Sequence, residues 1–382
     1  MIAALDFPAP SRLPNEQALR NEVRDFLKQE QELVRAGALG SWSRCCPEFS
    51  RRLGERGWIG MAWPRKYGGQ ERSALERYIV IEELLAANAP VGAHWTADRQ
   101  CGPLLLYCGS EEQRLDILPR IAAGKCYIAI GLSEPGVGSD LASLKTRAAP
   151  VDGGYCLRGT KLWTTQAHIS HYMTVLCRTD GEHSHRHEGL SQLIVDMASP
   201  GIEVRPIIDM TGSHSLNEVQ FDDVFVPDNA LIGTRGDGWK QVLNELSNER
   251  SAPDRILSSF KLLDQLVASV RSEPTEEGKR EVGRLIGRTA LLTSLSASIV
   301  EMQRLGRDPG ASAAIVKDLG AELEQETPEI ARKLFPLELS RGSDDYLQTL
   351  IGAILLMSPS FSVRGGTREI LRGIIARSLG AR

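Results

Sequence analysis

The sequence predicts an α+β chain in three successive segments: an N-terminal helical domain over 1–123, a middle β barrel or sandwich over 124–232, and a C-terminal helix bundle over 233–382. Three observations predict it. Apolar residues recur at helical spacing up to about residue 122, short strand-like runs bounded by turn residues crowd between about 125 and 230, and amphipathic stretches return from 238 onward. A chain of 382 residues has ample core for two or three such domains.

In the first segment, Glu16, Leu19, Val23, Phe26 and Leu27 recur at helical spacing, as do Leu75, Tyr78, Ile79, Ile81, Glu82 and Leu85. Between them Gly57-Trp-Ile-Gly-Met-Ala-Trp-Pro-Arg-Lys-Tyr-Gly-Gly69 is a turn-rich connection, in which Trp58, Trp63 and Tyr67 read as packing residues. Ser110-Glu-Glu-Gln113 is a capping box that starts another helix. Strands are expected at 127–133, 155–164, 172–178, 190–196 and 216–226, separated by Gly, Asp, Pro and Ser turns. The stretches around 283–305 and 311–335 fit an antiparallel bundle, with Pro274, Pro309 and Pro328 near loop positions.

Composition narrows the function classes. Hydrophobic residues at 42% and charged residues at 25% describe an ordinary globular protein. A formal net charge of −4, with no Lys/Arg block interleaved with aromatics, argues against nucleic acid. No apolar run approaches a membrane span, and the opening Met-Ile-Ala-Ala-Leu-Asp-Phe-Pro lacks a charged signal-peptide start. Seven scattered cysteines, never in a C-x-x-C spacing, point to reduced thiols in a cytoplasm. Gly181-Glu-His-Ser-His-Arg-His-Glu188 sets three histidines at alternate positions, a conceivable metal site, yet it is polar throughout and reads as a solvated turn. No metal is expected.

The chemistry concentrates between Tyr127 and Thr165. Glycines at 136 and 138 allow close backbone approach to a ligand, and Ser133, Glu134 and Ser139 add hydroxyls and a carboxylate to the same loop. In Tyr155-Cys-Leu-Arg-Gly-Thr-Lys-Leu-Trp-Thr-Thr165, strand alternation puts Trp163 and Thr165 on one face. Such a loop and strand suit a flat heterocycle carrying phosphates, and spacing alone leaves a plain β-hairpin equally open. Gly136-x-Gly138 is not a dinucleotide fingerprint, because position 141 is Leu and no βαβ pattern surrounds it.

Leu132-Ser-Glu-Pro-x-x-Gly-Ser-Asp140 followed by Gly159-x-Lys-x-Trp-x-Thr165 closely resembles the two flavin-domain signatures of the acyl-CoA dehydrogenase family. Pro64-x-x-Tyr-Gly-Gly69, the 109–124 stretch and Phe221-Asp-Asp-Val-Phe-Val-Pro227 match further family patterns in the same order. The resemblance implies FAD, an acyl-CoA or acyl-carrier thioester as substrate, and an electron-transferring flavoprotein as acceptor. It implies α,β-dehydrogenation to the trans-2-enoyl-CoA, in which a carboxylate removes the α proton and the β hydrogen leaves as hydride to the flavin. It also implies a place in fatty acid metabolism or lipid degradation, and a homodimer or homotetramer, with a heteromer as the alternative.

Carried over residue by residue, Ser133 would hydrogen-bond the flavin ring, Trp163 and Thr165 would cover it, and Gly366 and Thr367 would lie near the phosphates. Ser139 would face the pyrophosphate and pantetheine, and Arg250 is the second substrate-binding expectation. The family's usual base is the Glu of a C-terminal Glu-Gly-Thr, where this chain has Gly365-Gly366-Thr367. A subset carries the base as the Glu of an earlier Glu-Arg pair, matched here by Glu249-Arg250. Trp239, Val242, Leu243 and Leu246 mark an apolar helix face whose period reaches Glu249, although spacing alone equally allows a solvated last turn. Glu245 is the nearest competitor, with Glu369 and Asp222 behind it.

The departures set the alternatives. The family's Arg-x-x-Phe-Gly and Gln-x-x-Gly-Gly-x-Gly-Tyr segments, the first of which holds the FAD adenine half, have no counterpart, and Arg284 or Arg288 stands as a replacement against a solvated-charge reading. The rival readings are a flavin-dependent oxidase or monooxygenase, an acyl-carrier-protein dehydrogenase of the same fold, and a partner-dependent subunit of a mixed oligomer.

Overall fold

The structure is a computed structural model that describes residues 5–35, 43–180, 185–250, 252–336 and 345–381, with the side chains of 247–249 outside the described residues. Helices α1 (Glu16–Gln29), α2 (Gln31–Arg35), α3 (Pro47–Glu55), α4 (Ala74–Ala86), α5 (Gly92–Thr96), α6 (Gly102–Cys108) and α7 (Glu111–Ala122) come first. Strands β1 (Ile128–Gly131), β2 (Arg147–Val151), β3 (Gly154–Thr165), β4 (Tyr172–Arg178), β5 (Leu190–Asp196), β6 (Ile202–Ile208) and β7 (His214–Pro227) follow. Then come α8 (Gly238–Glu249), α9 (Phe260–Ser272), α10 (Glu276–Arg304), α11 (Gly310–Leu334), α12 (Tyr346–Phe361) and α13 (Arg368–Ser378). The order is helices, strands, helices, as the sequence predicts. By packing, the chain groups into two compact units: Met1–Ser41 with Ser73–Ala89 and Ser247–Arg382, and Trp42–Arg72 with Pro90–Leu246. The division at 123/124 and 232/233 follows chain order instead, and we keep it as a proposal.

The sheet lies wholly in the second unit. Its described strands run β1-β4-β2-β3-β7-β6, with β5 also on β4; β1 joins β4 in parallel, while β2–β3, β3–β7, β6–β7 and β4–β5 are antiparallel. Leu157, Val175, Leu193, Val219 and Phe221 are buried in its core. The sequence reading missed β2 and β6, and both contain a proline, Pro150 and Pro206, which usually argues against a central strand. β6 tolerates Pro206 because it is an edge strand paired only with β7. At Ser110 the capping box forms as expected: the Gln113 amide N–H donates to Ser110 Oγ at 3.1 Å and Ser110 N–H to Gln113 Oε1 at 3.0 Å. The same Gln113 side chain donates to the Asn229 and Leu231 carbonyls at 2.8 and 3.0 Å, tying α7 to the chain beyond β7.

In the first unit α11 packs against α9, α10, α12 and α13, and α4 against α1 and α10. Pro328 lies inside α11 rather than in a loop. Tertiary packing of the buried Leu323, Thr327, Ile330 and Ala331 face outweighs a break of roughly 3 kcal/mol, and the Thr327 hydroxyl bonds the Leu323 carbonyl at 2.8 Å just ahead of it. Among the described residues one helix, α10, is long and apolar enough by composition to cross a membrane, which the sequence reading did not anticipate; it packs against α4, α9 and α11 as a core helix does.

Candidate active site

The two signature stretches are joined by a buried ion pair. Lys161 of β3 is fully buried, and its Nζ reaches Glu134 Oε1 at 2.8 Å and the Leu132 carbonyl at 3.0 Å. Glu134 also accepts the Lys145 and Thr146 amides at 2.6 and 2.9 Å. Burial alone would raise the Glu134 carboxyl, but the Lys161 charge and these donors hold it below the usual carboxylate range. Glu134 is thus a clamp rather than a free carboxylate. Leu162 N–H donates to the Ser133 carbonyl at 2.9 Å, so Ser133 and Trp163 lie on adjoining backbone. Lys161 escaped the sequence reading; a lysine inside an otherwise strand-like signature was the available signal.

β3 does not run as a regular strand to its end. Its register against β7 shifts between Lys161 and Thr164, and Trp163 takes a left-handed φ of 60°. Beside this bulge Trp163 is 55% exposed, Thr164 is buried and Thr165 is half-buried, so the two expected ligand residues flank a buried one. A bulky residue held left-handed is costly, of order 1–3 kcal/mol, and such outliers gather at ligand sites.

In the first unit the end of α8 is joined to the loop before α13. Glu249 is the last residue of α8, and its side chain lies outside the described residues. The next residue, Arg250, is buried, and its Nε donates to the Gly365 carbonyl at 3.4 Å. Gly365 and Gly366 have φ of 69° and 104°, values side chains rarely adopt, and Thr367 caps α13 through its Oγ1. Staples to α11 and to residues 254–258 fix this loop. Arg364 Nη2 meets Glu324 at 2.9 Å, Ser258 Oγ at 2.7 Å and the Asp254 carbonyl at 3.0 Å, while Arg368 meets Asp318 at 2.6 Å.

On α8 the face differs from the expected stripe. Val242 is buried and Trp239 and Leu246 pack on the same cluster, but Leu243 is 50% exposed, while Gln241 and Glu245 are buried. Glu245 accepts from Gln192 Nε2 of β5 at 2.8 Å. Glu369 and Asp222 are exposed, without the desolvation an α-proton base needs. Arg284 and Arg288 pair with Glu281, Glu322 and Glu326, so neither is held in reserve for a cofactor. His187 stacks on Trp239 at 4.5 Å, and His183 lies outside the described residues. Among the described residues no three His, Cys, Asp or Glu side chains gather as metal ligands.

In the second unit the 133–139 loop and β3 suit a flavin. The space where side chains on Gly136 and Gly138 would project is empty for 4 Å. Ser133, Thr165 and Trp163 are only partly covered, and Ser139 is exposed on the same loop. The N-terminus of α13, reached through two left-handed glycines, presents amide N–H groups of the kind that bind phosphate.

Family comparisons agree with this chemistry. Residues 14–125 match the family model "Acyl-CoA dehydrogenase, N-terminal domain" and residues 129–224 the "middle domain". Acyl-CoA dehydrogenase FadE26 of Mycobacterium tuberculosis is 30% identical, covering 96% of each chain. FadE34 of the same organism is 33% identical over 87% of this chain, which spans 46% of that relative's length. Among solved structures, the Tcur3481-Tcur3483 steroid ACAD is 27% identical with a TM-score of 0.85, covering 96% of this chain and 97% of that one. The ChsE4-ChsE5 complex from Mycobacterium tuberculosis, also 27% identical, has a TM-score of 0.82 and covers 96% and 97%. The chain belongs to the acyl-CoA dehydrogenase family: an FAD-dependent oxidoreductase acting on acyl-CoA.

Proposed function

We propose that this chain catalyses α,β-dehydrogenation of an acyl-CoA thioester to the trans-2-enoyl-CoA, with Glu249 as the α-proton base. The observation that carries this is the contact between Arg250 and Gly365. It joins the residue after Glu249 to the loop whose usual base is replaced by glycine, which supports a carboxylate at the end of α8 serving the same place. Bound FAD would supply the hydride acceptor. Ser133, Trp163 and Thr165 would hold its ring, Gly366 and Thr367 its phosphates, and Ser139 and Arg250 the thioester. The proposed acceptor is an electron-transferring flavoprotein and the proposed compartment the cytoplasm, consistent with seven free cysteines.

A second reading has its own observation. Arg284 and Arg288 are engaged in ion pairs between α10 and α11, so neither is held ready to replace the missing adenine-holding segment, and one relative is a complex of two named proteins. In that reading this chain is one subunit of a mixed oligomer.

The test is the visible spectrum of the purified protein during anaerobic titration with thioesters from isovaleryl-CoA to a steroid CoA thioester, after the names of its relatives. Bleaching of a flavin band establishes the reaction and starts to name the substrate. Glu249→Gln should keep the band and slow bleaching by about 100- to 10,000-fold, the usual worth of a general base. Unchanged bleaching there, with loss in Glu245→Gln, moves the role to Glu245. A colourless protein that ignores added FAD favours the mixed oligomer, and oxygen uptake by reduced flavin favours the monooxygenase.

A further inference from the structure

The bulge that exposes Trp163 depends on a support from β7. Between the Lys161–Val219 and Thr164–Asn217 pairs, β3 has one residue more than β7, so the ladder is interrupted beside Thr164. The Thr164 carbonyl accepts a side-chain donor, Asn217 Nδ2, at 3.0 Å. Asn217 is fully buried, and its Oδ1 meets His214 Nε2 at 2.7 Å and His168 Nδ1 at 3.2 Å. An amide oxygen only accepts, so each of these ring nitrogens carries its hydrogen. The two imidazoles stack with centroids 4.0 Å apart. The Thr164 carbonyl, which can only accept, fixes the orientation of the Asn217 amide, because a flipped amide would turn its oxygen toward it; the imidazoles then hold the amide oxygen through their N–H groups. On the far side of the bulge Gln166 is also left-handed, at φ 56°, and its N–H donates to the Ser215 carbonyl at 2.8 Å.

We infer that Asn217 is a positioning residue for the bulge that presents Trp163 and Thr165, and that the His168–His214 pair locks its amide. The inference rests on the proposed reading that Trp163 and Thr165 face the flavin. Neither histidine touches the reacting atoms; they act through Asn217 and the Thr164 carbonyl. Burial first, then His214, holds His168 below the usual imidazole range, which favours its neutral form.

The test reads the bulge and the flavin separately. In full-length protein labelled with 5-fluorotryptophan, the fluorine resonance of Trp163 is assigned by its loss in Trp163→Phe. Asn217→Ala and Asn217→Asp, which both remove the donor to Thr164, should shift or broaden that line without added ligand. His214→Leu should move it the same way, and His214→Gln, which keeps an N–H donor, should restore it. Where flavin binds, the Asn217 variants should slow its reduction by up to about 100-fold while KM changes little, the scale of a small misplacement. An unmoved Trp163 line in folded Asn217→Asp and His214→Leu overturns the inference. If Asn217 variants fail to fold, the surface His214→Leu and His214→Gln comparison decides by itself. Wild-type protein that binds no FAD while the line still moves defeats the flavin reading and leaves the positioning role standing.

Discussion

Lys317 shows what burial does to a single charge. It is fully buried on α11, and its Nζ donates to the Phe361 carbonyl at 2.6 Å, at the start of the loop that carries Gly365. Burial, then the nearby Arg255 and Arg364, pushes its ammonium down from 10.5 to about 7, against the pull of Glu324 and Asp254. The folded value lies below the unfolded one, so the unfolded chain binds more protons between them. The penalty is full below about 7 and fades as pH rises toward 10.5, so this group makes stability climb with pH across that window. Lys317→Met should flatten the climb, as read from the urea midpoint at a series of pH values. A slope unchanged by the substitution places the titration on another group.

Among the elements, the junction of the 133–146 loop with β3 depends on the Glu134–Lys161 pair. Both partners are buried, so removing one leaves the other charge without compensation. Lys161→Met should destabilise by about 3–5 kcal/mol, whereas the double change with Glu134→Gln should recover part of that loss. A denaturant double-mutant cycle measures the difference, and additive effects would show that the two side chains do not work as a pair. Exposed pairs such as Lys28–Asp25 at 2.9 Å warrant no such expectation, because solvent leaves them worth a fraction of this.

At the scale of the whole molecule, the question is whether one chain retains FAD. If the mixed-oligomer reading holds, the chain purified alone should be colourless, and co-purification with a second acyl-CoA dehydrogenase chain should yield bound flavin in a fixed ratio. Mass measurement of the intact assembly with flavin absorbance checks both points. Full flavin in a homo-oligomer would show that this chain holds the adenine half through other residues.

Much of this protein is decided locally. Helical spacing in α1 and α4, the capping box at Ser110, the five strands set off by turn residues and the two signature stretches are all written in short windows, because turn chemistry and hydrophobic period act over a few residues. Glu249 and Arg250 were marked by motif, and the end of α8 at Glu249 follows from the Pro253 just beyond it. What crosses between distant segments was illegible. The proline-bearing β2 and β6 form because neighbouring strands supply their pairing, and Leu243 faces water because packing selected Gln241 and Glu245 for the inner face. The bulge at Trp163, the clamp between Glu134 and Lys161, the support from Asn217 and the approach of Arg250 to Gly365 join residues from 27 to 115 positions apart. Such contacts depend on burial and on which donors meet which acceptors in three dimensions, and only the tertiary structure decides those.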